Sequence, residues 1–449
     1  MSGNDANDGT AGHPFKTIQA ATSSAISGDV IYVAEGVYGE AEGTASHHAS
    51  AKSLCRVIIP ANVSVVASGR RERTFIVGAP APAGSGNIHG NGPGAVRCVY
   101  ANDGALLRGF TLTGGHTDTN MVSNAVLDNY GAAFRSANSG GAAIEDCIVS
   151  NNYSHVGTLT YANVRRCRII GNFGGSGLDA NYGFVAGSTC SYIGCIVDGN
   201  TGANVFGAPT RIESCTTGKN NKKYGGGAAA VTWGTSQLIL NSVFLGSNDP
   251  YSGTLYATNC IFARNVSLPY GRNCLVGKSD AEINVDADYK PIPGSVAIDF
   301  GDNDLQSPGL GSEDIYGTPR VLNVKIDAGA VEYDWRPEFG RELGKRFKVE
   351  SVSPSVTTNA AGGLLVSGGV VAGKAVSAGP YEISFDVVGG TLAVYVGGEL
   401  VGESAGTGEQ SIRFKVPDAT DEIRFAVDAP GSVVLKKFSG ARGFSISFR

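Results

Sequence analysis

The chain has 449 residues, 65 of them glycine and 17% charged, with a formal charge of -5 at neutral pH. That balance leaves no basic footprint for nucleic acid, and it suits a turn-dense all-β protein better than a helical one. No apolar run is long enough to cross a bilayer, so no membrane span is expected.

Read in chain order, the first element is a short amphipathic helix. Phe15, Ile18, Ala21 and Ala25 share one face at helical spacing and would close the open end of a core. Gly28 to Val33 reads as the first strand, with a turn at Glu35 to Tyr38. An end cap matters because a bare terminal coil would present unpaired backbone and polymerise.

From residue 145 a unit recurs, with a Cys followed five positions later by an Asn: Cys147 and Asn152, Cys167 and Asn172, Cys195 and Asn200, Cys215 and Asn220, Cys260 and Asn265. Successive cysteines stand 20 (147 to 167), 28 (167 to 195) and 20 (195 to 215) positions apart, and a Cys-free copy at Leu240 to Leu245 fills most of the gap before Cys260. Short units rich in β-branched residues and bounded by Gly and Asn are coils of a solenoid. The fold expected is a right-handed parallel β-helix, each coil adding one strand to each of several sheets about 4.8 Å from the last. About twelve coils would make a stack of roughly 55 Å. Cys then stacks on Cys inside and Asn on Asn at a turn, both as structural ladders. Nine cysteines are an odd number. A disulfide between adjacent coils is geometrically allowed, but buried free thiols are preferred. His47, His48, His116 and His155 have no Cys at ligand spacing, which argues against zinc.

Gly3 to Gly9, Pro14 to Ala21, Gly28 to Val33 and Gly36 to Tyr38 resemble the entry segment of secreted bacterial right-handed parallel β-helix proteins of the pectate-lyase-like superfamily. Val296 to Asn303, Asp314 to Arg320 and Ile326 to Tyr333 resemble the closing segment of surface proteins of the choice-of-anchor Q type. The resemblance covers residues 1 to about 335 and implies a secreted or cell-surface location, with a signal segment removed ahead of Met1. Within that closing segment Asp299, Asp302 and Asp304 are candidate calcium ligands. A structural cap, in which Asp side chains bond turn amides and pair with Arg320, is preferred because the spacing matches no defined calcium loop.

Residues 1–335 therefore form the expected β-helix, 336–346 a linker and 347–449 a jelly-roll-like antiparallel β-sandwich, whose strands alternate with period two between Gly-Gly turns. Tyr381, Phe385, Phe414 and Phe425 fall on core faces; only Tyr395 falls on the opposite one. Trp233 and Trp335 lie outside that module, so no aromatic platform for a sugar is evident.

Candidate catalytic residues are Arg166 and Lys222 as bases, Asp179 as a neighbouring acid, and His116 beside Asp118 in the long excursion from Gly114 to Gly141. Arg165, Arg168, Lys219, Lys223, Asp146 and Asp198 accompany them. Two functions remain open. One is an exported, non-catalytic adhesin or spacer, a monomer that contacts a glycan or another cell-surface partner. The other is a polysaccharide lyase or glycoside hydrolase acting on a complex or uronate-containing glycan.

Overall fold

The computed structural model describes residues 3–440 apart from 120–127, 175–184, 187–189, 203, 208–209, 223–229, 234–236, 247–254, 322–324, 334–346, 353–355, 360–362, 376 and 429. The linker expected at 336–346 lies outside the described residues. The chain divides into two compact units, Met1–Arg320 with Asp327–Glu332, and Val321–Ile326 with Tyr333–Arg449.

The first unit is a parallel β-helix. Among the described residues, sheet A runs from Val30–Val33 to Leu255–Thr258 and sheet B from Gly36–Tyr38 to Ile261–Phe262, each with nine parallel strands, while sheet C has five, from Leu54–Ile59 to Val185–Ala186. Eight steps at the parallel-strand spacing give a stack of about 38 Å. That is shorter than twelve coils would make, because after the coil of Cys260 only one further turn, held by the bridges of Thr258 with Arg272 and of Ile261 with Leu275, stacks before the chain turns away.

From the coil of Gly109 onward, sheets A and B meet at a two-residue corner. Gly109, Asp146, Arg166, Gly194, Ser214, Asn241 and Asn259 hold φ between 47° and 86° there, which bends the chain from one sheet into the next without a loop. The next residue points inward and closes the corner. The thiols of Cys147, Cys167, Cys195, Cys215 and Cys260 donate to the carbonyl two residues back at 3.1–3.4 Å, and the Ser242 hydroxyl does the same at 2.7 Å. The Cys ladder is thus a column of small, fully buried donors, and all nine thiols are free.

The Asn ladder answers the polar groups of the next corner. Asn152 Nδ2 donates to Asn172 Oδ1 at 2.9 Å, Asn172 Nδ2 to Asn200 Oδ1 at 3.0 Å, and Asn200 Nδ2 to Asn221 Oδ1 at 3.1 Å. Each oxygen also accepts the backbone N–H of the Asn one coil up. The fourth rung is Asn221, not the expected Asn220, since this coil carries one extra residue. Asn220 instead gives its N–H and Nδ2 to Asp198, both at 2.8 Å. Asn265 is exposed and outside the ladder.

At the N-terminal end the helix Ile18–Ser24 is capped by Thr17 and buries Ile18 and Thr22, a narrower face than the spacing suggested. Glu42 accepts the N–H groups of Ile18 and Gln19 at 2.9 and 3.3 Å.

The second unit pairs two five-stranded antiparallel sheets. Tyr381, Phe414 and Phe425 surround Phe438 at 4.8–6.2 Å between ring centroids. The inward faces are those the alternation predicts, while Tyr395 lies half-buried under the guanidinium of Arg424 at 5.6 Å.

Two expectations follow. Asn172→Ala removes a rung and leaves buried partners unmet, lowering stability by about 2–3 kcal/mol in a urea titration, whereas Asn265→Ala changes it by less than about 0.5 kcal/mol. Burial pushes the Glu42 carboxyl from 4.5 up to about 7. The folded state therefore holds its proton more tightly than the unfolded chain, so this stabilisation is complete below pH 4.5 and is lost as pH rises through about 7. Melting temperatures followed across that range should show Glu42→Gln losing this part of the decline.

Candidate functional site

After Cys274 the chain folds back across the outer face of sheet B. Ile283, Ala297 and Ala328 pack on Val243, Leu245 and Ile261, and Ile315, Ala330 and Val331 pack on Ile196. A buried Arg320–Glu332 pair at 3.1 Å, each side chain 2% exposed, holds the return in place. Asp314 accepts the N–H groups of Tyr316, Thr318 and Glu332 at 2.8–2.9 Å. Gly194 is required under this pair, since φ is +65° and a Cβ would meet Arg320 Nη2 at 2.8 Å.

Between the returning segment and the corner of sheets A and B lies a cleft of about 510 Å³, lined among others by Arg71, Gly109, Asp146, Arg166, Glu313 and Asp314. Asp146 and Arg166 occupy equivalent corners of successive coils. The Arg166 guanidinium is bidentate on the Asp146 carboxylate, Nε to Oδ1 at 2.7 Å and Nη2 to Oδ2 at 2.9 Å. This hydrogen bonding raises the Arg166 pKa further above its ordinary value. Both residues stand at positive φ, 53° and 47°, a conformation that costs roughly 1–2 kcal/mol for Arg166 and less for Asp146, whose short polar side chain visits it more readily. Gly311, at φ +78°, lets the opposite wall approach Arg166. Arg71 Nη2 donates to Ile315 O at 3.0 Å and ties the far wall to the coil.

A second hollow of about 480 Å³ flanks the same segment near Asp198, Lys219, Asn220, Asp280 and Tyr289. Tyr289 Oη donates to Asp198, and Lys219 pairs with Asp280 at 3.4 Å. Burial and the Asp198 carboxylate push the Tyr289 phenol well up, so it keeps its proton.

Among the described residues, the candidate catalytic residues Arg166, Lys222 and His116 do not converge. Lys222 and His116 share one column, bridged in sequence through Tyr153, Phe173 and Thr201. Four steps separate them by about 19 Å. His116 bonds Gly114 O through Nδ1 at 2.9 Å and stacks on Tyr153 at 5.1 Å, and burial lowers its pKa. Phe173 stacks on His89 at 4.2 Å, so the column is a packed ladder. Arg166 stands across the width of sheet B from this column. Arg168 is engaged by Asp288 at 3.3 Å and by the Tyr316 ring at 5.5 Å. Asp179 and Lys223 lie outside the described residues.

Of the three candidate calcium ligands, Asp302 caps the turn at Asp304 N, and Asp299 N donates to Asp327. Among the described residues no group of three or more His, Cys, Asp or Glu side chains could hold a metal ion. No helix among them is long and apolar enough to cross a membrane. Sequence reasoning missed Arg71 and Glu313 in the cleft and Tyr289 in the second hollow; the returning segment brings Glu313 and Tyr289, and an earlier coil brings Arg71. Asp146 and Arg166 carried a usable signal, being 20 positions apart (166 − 146), the same step as Cys147 and Cys167.

Residues 1–190 match a family described as "Protein of unknown function (DUF1565)". No curated protein matches the sequence. Among solved structures the chain is similar to the secreted serine protease VesC from Vibrio cholerae, at 16% identity over 24% of this chain and 28% of that one, with a TM-score of 0.20. It is also similar to the enzymatically active domain of tailspike protein 4 from bacteriophage CBA120, at 12% identity over 85% of this chain and 63% of that one, with a TM-score of 0.15. The chain thus spans less than two thirds of either protein, and neither likeness bears on the chemistry of the cleft.

Ser214 gives a test of the corner geometry. It holds φ 47° and its buried hydroxyl makes no hydrogen bond. Ser214→Gly is expected to raise stability by about 0.5–1 kcal/mol, the left-handed cost exceeding the entropy of glycine. Chemical denaturation of the two proteins measures it.

Proposed function

We propose that the protein is an exported, non-catalytic glycan-binding β-helix and that the cleft at Asp146 and Arg166 is its binding site. The observation that carries this reading is the strained, bidentate Asp146–Arg166 pair standing at the mouth of an open cleft. Strained backbone concentrates at sites whose geometry is used, and a planar carboxylate–guanidinium pair offers acceptors and donors spaced for vicinal sugar hydroxyls. Two guanidinium groups, Arg71 and Arg166, face three carboxylates, Asp146, Glu313 and Asp314, a balance that favours a neutral glycan over a polyuronate. The surface location rests on the closing-segment resemblance at residues 296–333.

A lyase reading is less well supported. Its base must take a proton alpha to a carboxyl group, and Arg166 is held more firmly protonated than a free arginine.

Isothermal titration of the purified protein with neutral and uronate oligosaccharides tests the proposal. Arg166→Gln and Asp146→Asn are each expected to weaken binding of a neutral oligosaccharide by about tenfold, equivalent to 1.4 kcal/mol, with no unsaturated or reducing-end product formed. Product formation by the wild type that either variant abolishes would replace this reading with the enzymatic one.

A further inference from the structure

We infer that Cys260 and Cys274 are a disulfide-forming pair, a modification site that fastens the last coil to the stack and with it the start of the closing segment. This does not depend on the glycan reading.

The two residues occupy one register. Thr258 pairs with Arg272 and Ile261 with Leu275, both in parallel, so each partner lies 14 positions on (272 − 258, 275 − 261), and the same step joins Cys260 to Cys274. Leu275 N donates to Cys260 O at 2.9 Å, and Asn273 Nδ2 donates to Asn259 Oδ1 at 2.6 Å. Asn259 and Asn273 repeat the corner, with φ of 52° and 49°. Parallel neighbours stand about 4.8 Å apart, inside the Cα separation that a disulfide spans, and the β-carbons must close by about 1 Å. Isolated bridges, not a strand, hold the last coil, so it can yield that distance where the inner coils cannot.

Access separates Cys274 from every other thiol, Cys260 included. Cys147, Cys167, Cys195 and Cys215 are fully buried, whereas Cys274 is partly exposed. A hydrogen bond with Cys260 draws the Cys274 thiol down to about 7, favouring the thiolate that attacks a disulfide.

The oxidant is a small-molecule disulfide of the glutathione class. The Cys274 thiolate attacks one of its sulfurs, forming a mixed disulfide and releasing one thiolate. Cys260, losing its proton to solvent, then attacks the Cys274 sulfur and expels the second. Two protein thiols are oxidised and one disulfide is reduced to two thiols. The bond fixes the segment leading to Gly277 and Lys278, whose N–H groups reach Arg264 O and Phe262 O at 3.1 Å.

The test is alkylation and mass analysis of the full chain after incubation with oxidised glutathione or with dithiothreitol, each followed by denaturation. The reduced protein should show nine alkylated cysteines. The oxidised protein should show two fewer, and trypsin should release residues 224–264 disulfide-linked to 273–278. Cys274→Ser should show eight alkylated cysteines under both conditions, with a melting temperature unchanged by oxidation, whereas that of the wild type rises. Nine alkylated cysteines after oxidation, a glutathione adduct left on Cys274, or a link to any other cysteine would each overturn the assignment.

Discussion

In-register stacking at the parallel-strand spacing is the constraint from which the β-helix unit follows. Every position of a coil sits over its counterpart, so whatever a corner demands, it demands in each coil. From the coil of Asp146 onward the corner of sheets A and B takes a left-handed residue and then a small inward donor, which Cys147, Cys167, Cys195, Cys215 and Cys260 supply and Ser242 imitates. The following corner demands a buried group able to give and accept along the stack axis, and Asn152, Asn172, Asn200 and Asn221 meet that need. Buried amides with their partners in the next coil tie neighbouring turns together, because removing one leaves the others unsatisfied.

The same constraint produces the candidate site. A left-handed corner accepts Gly or Asn readily, yet two successive coils place Asp146 and Arg166 there. Stacked one strand spacing apart, opposite charges fall into bidentate register, so the ladder becomes a salt bridge facing solvent. The second wall comes from the returning segment, held over sheet B by apolar packing on Ile196 and Val243 and by the buried Arg320–Glu332 pair. That pair needs Gly194 in the same row of corners. Cleft, cap and corner row are therefore one construction.

Much of the fold was legible in the sequence. The Cys and Asn spacing announces the coils, and period-two alternation around Tyr381 to Val387 and Phe414 to Val427 announces the antiparallel sheets. Less of the site could be read. The extra residue between Cys215 and Asn221 moves the rung off Asn220, and nothing local marks that shift. His116 and Lys222 both looked reactive, but a linear reading cannot see that they share one column four steps apart, or that His89 packs on Phe173 within it. Arg71 and Glu313 line one cleft across a chain separation that no periodicity encodes. The aspartates of the closing segment were legible as turn formers, and Asp302 and Asp314 do bond turn amides.

The most direct measurement of the central claim is amide hydrogen exchange on the purified protein, with and without a saturating neutral oligosaccharide. Glycan binding in the cleft predicts added protection at residues 311–317 and at the corners around Arg71, Gly109 and Arg166, with the aromatic column and the sandwich unchanged. Protection confined to the column at Tyr153 and Phe173 or to the sandwich, or no protection at any concentration, would contradict it.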